Sequence, residues 1–173
     1  LERAAALDLK VTEAEIETGL SNLYLFECRY DLALKYLEDS RKKYESLGMP
    51  AQSLNCELEI ADIYLELNLL DEAIDHYGRC EGRYAELGMQ AELARCLKNQ
   101  AVALYRSGKA DVSLHKLGQA EELFEREGNE ALLASAIAAK AAMELDLGDL
   151  AAAEPNVRAA LETYRRNENF RLE

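Results

Sequence analysis

The chain has 173 residues, 33 acidic against 20 basic, for a formal charge of −13, with 49% hydrophobic residues and only 9 Gly and 2 Pro. That composition suits an ordered, helix-rich chain and argues against disorder, a collagen-like repeat and a transmembrane span. A sequence pI near 4.7 argues against nucleic acid as a partner, because such binding rests on Lys and Arg displacing counterions from phosphates.

The start, Leu1-Glu2-Arg3-Ala4-Ala5-Ala6, has neither the basic opening nor the long apolar run of a signal peptide, and it reads as the tail of a helix from a longer protein. From there the chain repeats. Leu47-Gly48-Met49-Pro50-Ala51 recurs as Leu87-Gly88-Met89-Gln90-Ala91 and more loosely as Glu127-Gly128-Asn129-Glu130-Ala131, a period of 40 residues. Four copies are expected at 11–50, 51–90, 91–130 and 131–171. Residues 1–10, which align with Arg41 to Pro50, are expected to be the end of a preceding repeat helix. Leu172-Glu173 reads as a tag remnant or as native sequence.

Within each copy apolar residues recur three and four apart, as in Leu54, Leu58, Ala61 and Leu65, then Leu70, Ala73, Ile74 and Tyr77. That spacing predicts two helices per copy. A break containing Asn68, Gly108 or Gly148 separates them, and Asp31, Asp71, Asp111 or Asp149 follows, where a carboxylate complements the free amides of a starting helix. Gly48, Gly88 and Gly128 fall where the second helix should stop, since Gly takes the left-handed conformation such endings use. Each copy is therefore a helical hairpin. Two columns hold only small residues: Ser21, Ala61, Ala101, Ala141, and Ala33, Ala73, Ser113, Ala153. Small side chains let helix axes approach, so these columns are expected at crossing points. An aromatic ladder of Tyr44, Tyr84, Phe124 and Tyr164 is expected to pack between hairpins rather than to stack on bases.

Three irregularities stand out. Gly78 and Gly82 lie one turn apart inside a predicted helix. Gly118 repeats the Gly78 column, which favours close packing over local softness as the reason. Pro155 should kink its helix or delay its start. The fourth copy is Ala-rich with no polar capping helix after it, a sticky outer face that points either to a homodimer through a repeat end or to truncation of a longer array.

No reactive set is legible. Cys28, Cys56, Cys80 and Cys96 form no Cys-x-x-Cys pair and have no His at zinc spacing, so buried free thiols are expected and no metal or cofactor. His76 and His115 have no nucleophile beside them and read as surface or interface residues. Glu13, Glu15 and Glu17 alternate along a helix start and read as solvated.

The register of a small residue, a large one three places on, a turn, and a second helix with an early Ala resembles the tetratricopeptide repeat family. In the second copy it reads Ala61, Tyr64, Leu70, Ala73, Tyr77 and Cys80; in the first, Ser21, Tyr24, Ala33, Leu37 and Ser40. The third copy gives Ala101, Leu104, Gly108, Ser113, Leu117 and Ala120, and the fourth Ala141, Gly148, Ala153, Val157 and Ala160. The period exceeds the family's usual 34, and the customary Trp is missing, which points to a long-helix branch. The resemblance implies an all-α, right-handed superhelical solenoid whose first helices line a concave face.

Taking the Ala61 column as packed, the stripes flanking it contain Asn22 and Phe26, then Asn55, Asp62 and Glu66, then Arg95, Asn99 and Arg106. Two readings of these stripes stand: a groove gripping an extended segment or helix of a protein partner, and an ordinary solvated face. Copy 51–90 carries nine acids and two bases, copy 91–130 seven and six, so the second hairpin dominates the negative field. Thr18 and Glu59 stand where relatives that clamp chaperone tails use Lys and Asn, which disfavours that ligand. The expected function is a cytoplasmic protein-interaction scaffold, not an enzyme, binding a protein or peptide and neither nucleic acid nor membrane. The alternative is a regulatory or oligomerisation segment of a signalling ATPase, transcription regulator or peptidase.

Overall fold

The computed structural model describes the backbone of residues 2–170 and the side chains of residues 8–166. Leu172 and Glu173 lie outside the described residues. Eight helices follow one another there: α1 (Glu2–Phe26), α2 (Tyr30–Ser46), α3 (Pro50–Glu66), α4 (Leu70–Leu87), α5 (Gln90–Arg106), α6 (Ala110–Arg126), α7 (Glu130–Asp146) and α8 (Leu150–Phe170). They form two compact units, the first ending at Arg83 and the second beginning at Tyr84, inside α4. In the first unit α1 pairs with α2 and α2 packs on α3; in the second, α5 pairs with α6, α6 packs on α7 and α7 pairs with α8. Both units are thus helical hairpins stacked side by side.

Local chemistry sets the helix ends. Pro50 opens α3 at a first-turn position, where its missing N–H leaves no bond unmade. Asn129 and Asp149 accept hydrogen bonds from the amides of Leu132 and Ala152, both at 3.1 Å, and so cap α7 and α8. Most described helices stop in the same way. At the end of α1 the Cys28 amide donates to the Leu25 carbonyl and the Arg29 amide to the Tyr24 carbonyl, both at 2.9 Å. This double bond pattern closes the last turn and needs one left-handed residue. The pattern recurs at Gly48, Asn68, Gly108, Gly128 and Gly148, all with positive φ. Within the hairpins the left-handed position is therefore held by Cys28, Asn68, Gly108 and Gly148 in turn.

Packing follows the small columns. Ser21, Ala61, Ala101 and Ala141, and Ala33, Ala73, Ser113 and Ala153, are all buried. A third small column, Ser40, Cys80, Ala120 and Ala160, is buried as well. Serine is tolerated at these sites because its hydroxyl returns to a main-chain carbonyl. Ser40 Oγ donates to the Ala14 carbonyl at 2.9 Å and Ser113 Oγ to that of Ala101 at 2.7 Å, so neither hydroxyl is stranded. Around the columns Leu37, Tyr44, Cys56, Ile60 and Ile63 make one core in the first unit. Leu97, Phe124 and Ala136 make another in the second unit, with Leu117 and Met143 beside it.

The structure departs from the sequence pattern in five places. Helix α1 runs from Glu2 to Phe26 without a turn near Asp8, the position that Gly48, Gly88 and Gly128 hold elsewhere. A helix stop there would need a residue that tolerates positive φ, and Asp does so only at a cost. Helix α8 starts at Leu150, not beyond Pro155; the ring sits on an exposed side, where water can bond the Ala151 carbonyl that lacks its usual donor. Cys28 is exposed, whereas the other three cysteines are buried free thiols. Tyr164 is the exposed rung of the aromatic ladder, while Tyr44, Tyr84 and Phe124 are buried. Finally, close packing does not account for the helical glycines: a Cβ built on Gly82 or Gly118 meets nothing within 4 Å.

Gly82→Ala and Gly118→Ala should therefore each stabilise the protein, by about 1 kcal/mol at most, since Ala restricts the unfolded chain and fits the space. A lower urea midpoint for either variant would contradict this. Cys28→Gly should also stabilise, by roughly 1 kcal/mol, by relieving a left-handed residue that carries a Cβ. Thermal unfolding of Cys28→Gly beside Cys28→Ala, which keeps the Cβ, checks that the gain comes from the backbone.

Candidate functional site

The eight residues singled out from the sequence all lie on first helices of hairpins. Asn22 and Phe26 sit one turn apart at the end of α1; Asn22 is exposed, and Phe26 is 90% exposed. Asn55 and Asp62 are half-buried on α3, and Glu66 is exposed as its last residue. In the second unit Arg95 and Asn99 are half-buried on α5, and Arg106 is exposed as its last residue. Phe26, Glu66 and Arg106 thus share one register position, the final residue of α1, α3 and α5. An aromatic, an acid and a base therefore stand at equivalent points of successive hairpins. The first unit holds Asn22, Phe26, Asn55, Asp62 and Glu66; the second holds Arg95, Asn99 and Arg106.

Among the eight, Asp62 has structural work. Asp62 Oδ1 accepts the hydroxyl proton of Tyr77, whose side chain is buried on α4. A buried phenol needs an acceptor, so Asp62 ties α4 to α3. Arg95 holds its Nε buried, with no acceptor among the described residues. Glu66 acts on a neighbour: its negative charge, followed by burial, holds the Tyr30 hydroxyl above the ordinary tyrosine pKa.

Sequence reasoning missed a second polar centre in the first unit. Glu57 is buried on α3, and its carboxylate lies 2.8 Å from His76 Nδ1, 3.4 Å from Arg41 Nε and 3.5 Å from Arg79. Burying an acid is costly unless cations and donors surround it, and here three second-helix groups do. His76 is thus a half-buried residue at the contact of α3 with α4, its ring 5.1 Å from that of Tyr64. His115 is exposed. Arg41, Arg79 and Arg83 border a shallow cleft of about 130 Å³ beside Glu57. Glu17 and Glu13 are likewise engaged rather than solvated, their carboxylates 2.6 Å and 2.8 Å from Lys43 Nζ, while Glu15 is exposed. The signal for Glu57 was available in the sequence: helical periodicity puts it between Leu54 and Leu58 on a largely apolar face.

In the second unit the Tyr105 hydroxyl of α5 donates to Asp146 Oδ2 at the end of α7. That bond, then burial and the Asp146 charge, raises the Tyr105 pKa above its ordinary value. Among the described residues no group of three or more His, Cys, Asp or Glu side chains could hold a metal ion. No described helix is long and apolar enough to cross a membrane.

No protein-family model matches the chain, and no curated protein does. Solved structures do match. BtubC (BKLC) from P. vanneervenii superposes with a TM-score of 0.78 at 21% identity, over 90% of this chain and 64% of that one. Aspartyl phosphate phosphatase F from Bacillus subtilis gives 0.86 at 16% identity, over 92% and 42%. A Rap protein complexed with competence and sporulation factor gives 0.76 at 16% identity, over 89% and 44%. The chain therefore spans less than two thirds of each of these proteins. At such identities the likeness is one of fold: an all-α stack of helical hairpins of the tetratricopeptide type.

Because Asp62 anchors Tyr77, Asp62→Ala should destabilise the chain by roughly 1–3 kcal/mol, and Asp62→Asn, which keeps an acceptor, by clearly less. Chemical denaturation of the pair checks this; equal losses would remove the hydrogen bond as the cause.

Proposed function

We propose that this protein is an interaction scaffold of the 40-residue, long-helix tetratricopeptide type, with repeats at 11–50, 51–90, 91–130 and 131–171. It grips an extended or helical segment of a protein partner along its first helices. The observation that carries the proposal is the presentation of Phe26 and Glu66 at one register position of α1 and α3, both exposed beside buried small-residue columns; in the second unit Arg106 holds that position on α5. A 90% exposed phenylalanine next to exposed Asn22 is an anchor for an apolar side chain, and the acid of the same unit supplies charge selectivity. Fold likeness to a Rap protein complexed with competence and sporulation factor supports a role in binding a partner. The scaffold works without catalysis or cofactor, in the cytoplasm, and its surplus of acids steers basic partners toward copy 51–90 and away from nucleic acid.

A second reading makes the chain a regulatory segment of a larger signalling protein. It is favoured by the match to aspartyl phosphate phosphatase F, of which this chain covers 42%. The two readings share the binding surface and differ in what binding controls.

The test is selection of peptides from a random display library on the immobilised chain, followed by titration of the best binders. Phe26→Ala, Glu66→Lys and Arg106→Glu combined should weaken them at least about tenfold, equivalent to roughly 1.4 kcal/mol. The thermal midpoint should be preserved, because all three positions are exposed. Asp62 is left intact, so that loss of binding is not loss of fold. Unchanged titrations would remove the first-helix face as the site.

A further inference from the structure

Two consecutive hairpins of the first unit treat one polar position differently. In the first of them, Lys43 Nζ of α2 lies 2.8 Å from the Glu13 carboxylate and 2.6 Å from that of Glu17, one turn apart on α1. The same three columns, 40 residues on, hold Arg83 on α4 with Ser53 and Glu57 on α3. The cation and one acid are kept, while the other acid has become a serine that is 6% exposed. Cations have gathered at the same spot. Arg79 stands one turn before Arg83, where the first hairpin has Asp39, and the neighbouring α2 contributes Arg41. These three arginines line the cleft of about 130 Å³ together with Glu45, Pro50, Ser53, Leu54 and Glu57. All of them belong to the first unit.

From this exchange of an acid for a serine among three guanidinium groups we infer that the cleft binds one carboxylate group of a ligand, set beside Arg83 as the Glu13 carboxylate is set beside Lys43. The donors are held ready for it. Glu57, 8% exposed, lies 3.4 Å from Arg41 Nε and 3.5 Å from Arg79 Nη1, and Glu38 and Glu45 each meet one terminal nitrogen of Arg41 at 3.0 Å. A guanidinium carries five N–H donors in a fixed fork, so these contacts orient Arg41 and Arg79 and leave further N–H groups for another acceptor. The Ser53 hydroxyl adds a donor at the wall. Helix α3 begins at Pro50 beside it, so the positive end of the helix dipole faces the same space. Charge agrees: the lining has three arginines against two glutamates, in a chain whose formal charge is −13. The volume is well below the roughly 300 Å³ at which pockets for whole small molecules begin, and it suits a single functional group. That group is supplied by a small free acid or by the tip of a glutamate or aspartate side chain of a partner. The site is separate from the surface at Phe26 and Glu66, which lie at the far ends of α1 and α3.

Nuclear magnetic resonance of the arginine side-chain N–H groups tests this, with ionic strength held constant by chloride. The probes are acetate, the end-capped peptide Gly-Glu-Gly and its Gly-Gln-Gly counterpart. Signals of Arg41, Arg79 and Arg83 should shift along saturating curves with Gly-Glu-Gly, and Gly-Gln-Gly should leave them in place. Acetate saturating as tightly as the peptide identifies a free acid as the ligand; saturation by the peptide alone identifies a partner's side chain. Arg79→Ala with Arg83→Ala, both at exposed positions, should weaken binding at least about tenfold while helicity by circular dichroism is kept. Ser53→Glu should place a carboxylate in the cleft from the chain itself, which raises the thermal midpoint and abolishes probe binding. A wild type without saturating shifts overturns the inference, as does Gly-Gln-Gly shifting the signals as Gly-Glu-Gly does. So does a double arginine variant that binds as tightly as wild type, or a folded Ser53→Glu protein that still binds.

Discussion

Close approach of helices at a side chain no larger than serine or cysteine is the constraint on which the rest of this molecule depends. Three columns repeat such residues every 40 positions and are buried in every hairpin. With the axes this close, larger residues one turn away reach across and fill the cores around Tyr44, Phe124 and Leu117. A bulky residue in a column would separate the axes and open voids around those aromatic and aliphatic side chains. Where serine replaces alanine, its hydroxyl returns to a main-chain carbonyl, so the column keeps its narrow profile without stranding a polar atom.

Polar interior groups add specificity to a scaffold that apolar packing alone would leave degenerate. Glu57, set among Arg41, His76 and Arg79, and Asp62, bonded to Tyr77, join α3 to its neighbours at fixed points. Tyr105 with Asp146 ties α5 to α7 at an exposed point. A slip by one residue would leave a carboxylate or a phenol buried without its partner, a penalty larger than that of an imperfect apolar contact. Phe26, Glu66 and Arg106 are exposed at the ends of first helices.

Much of the fold was legible because helical repeats print their contacts into the sequence at one fixed interval. The 40-residue spacing of Gly48, Gly88 and Gly128, of the alanine columns and of the aromatic ladder came directly from side-chain sizes and backbone preferences, which are local properties. The candidate residues were placed on first helices by the same periodicity. Their division of labour was not legible. Asn22 and Asp62 hold the same position in the repeat, yet one is exposed and the other holds a buried tyrosine hydroxyl, a difference made by the residue across the hairpin. Cys28, Gly82 and Gly118 were misread for a related reason: whether a position is crowded or open depends on neighbours distant in sequence.

Sequence by itself determined the helical hairpins, their interval, their turn residues and the small columns on which they cross, because each follows from steric and hydrogen-bonding preferences within about one turn of helix. Only the tertiary structure decided which carboxylates are buried and paired, where histidine sits, and which helical glycines have open space beside them. Those outcomes depend on which surfaces meet across tens of residues, and burial is a property of the pair of surfaces, not of either one alone.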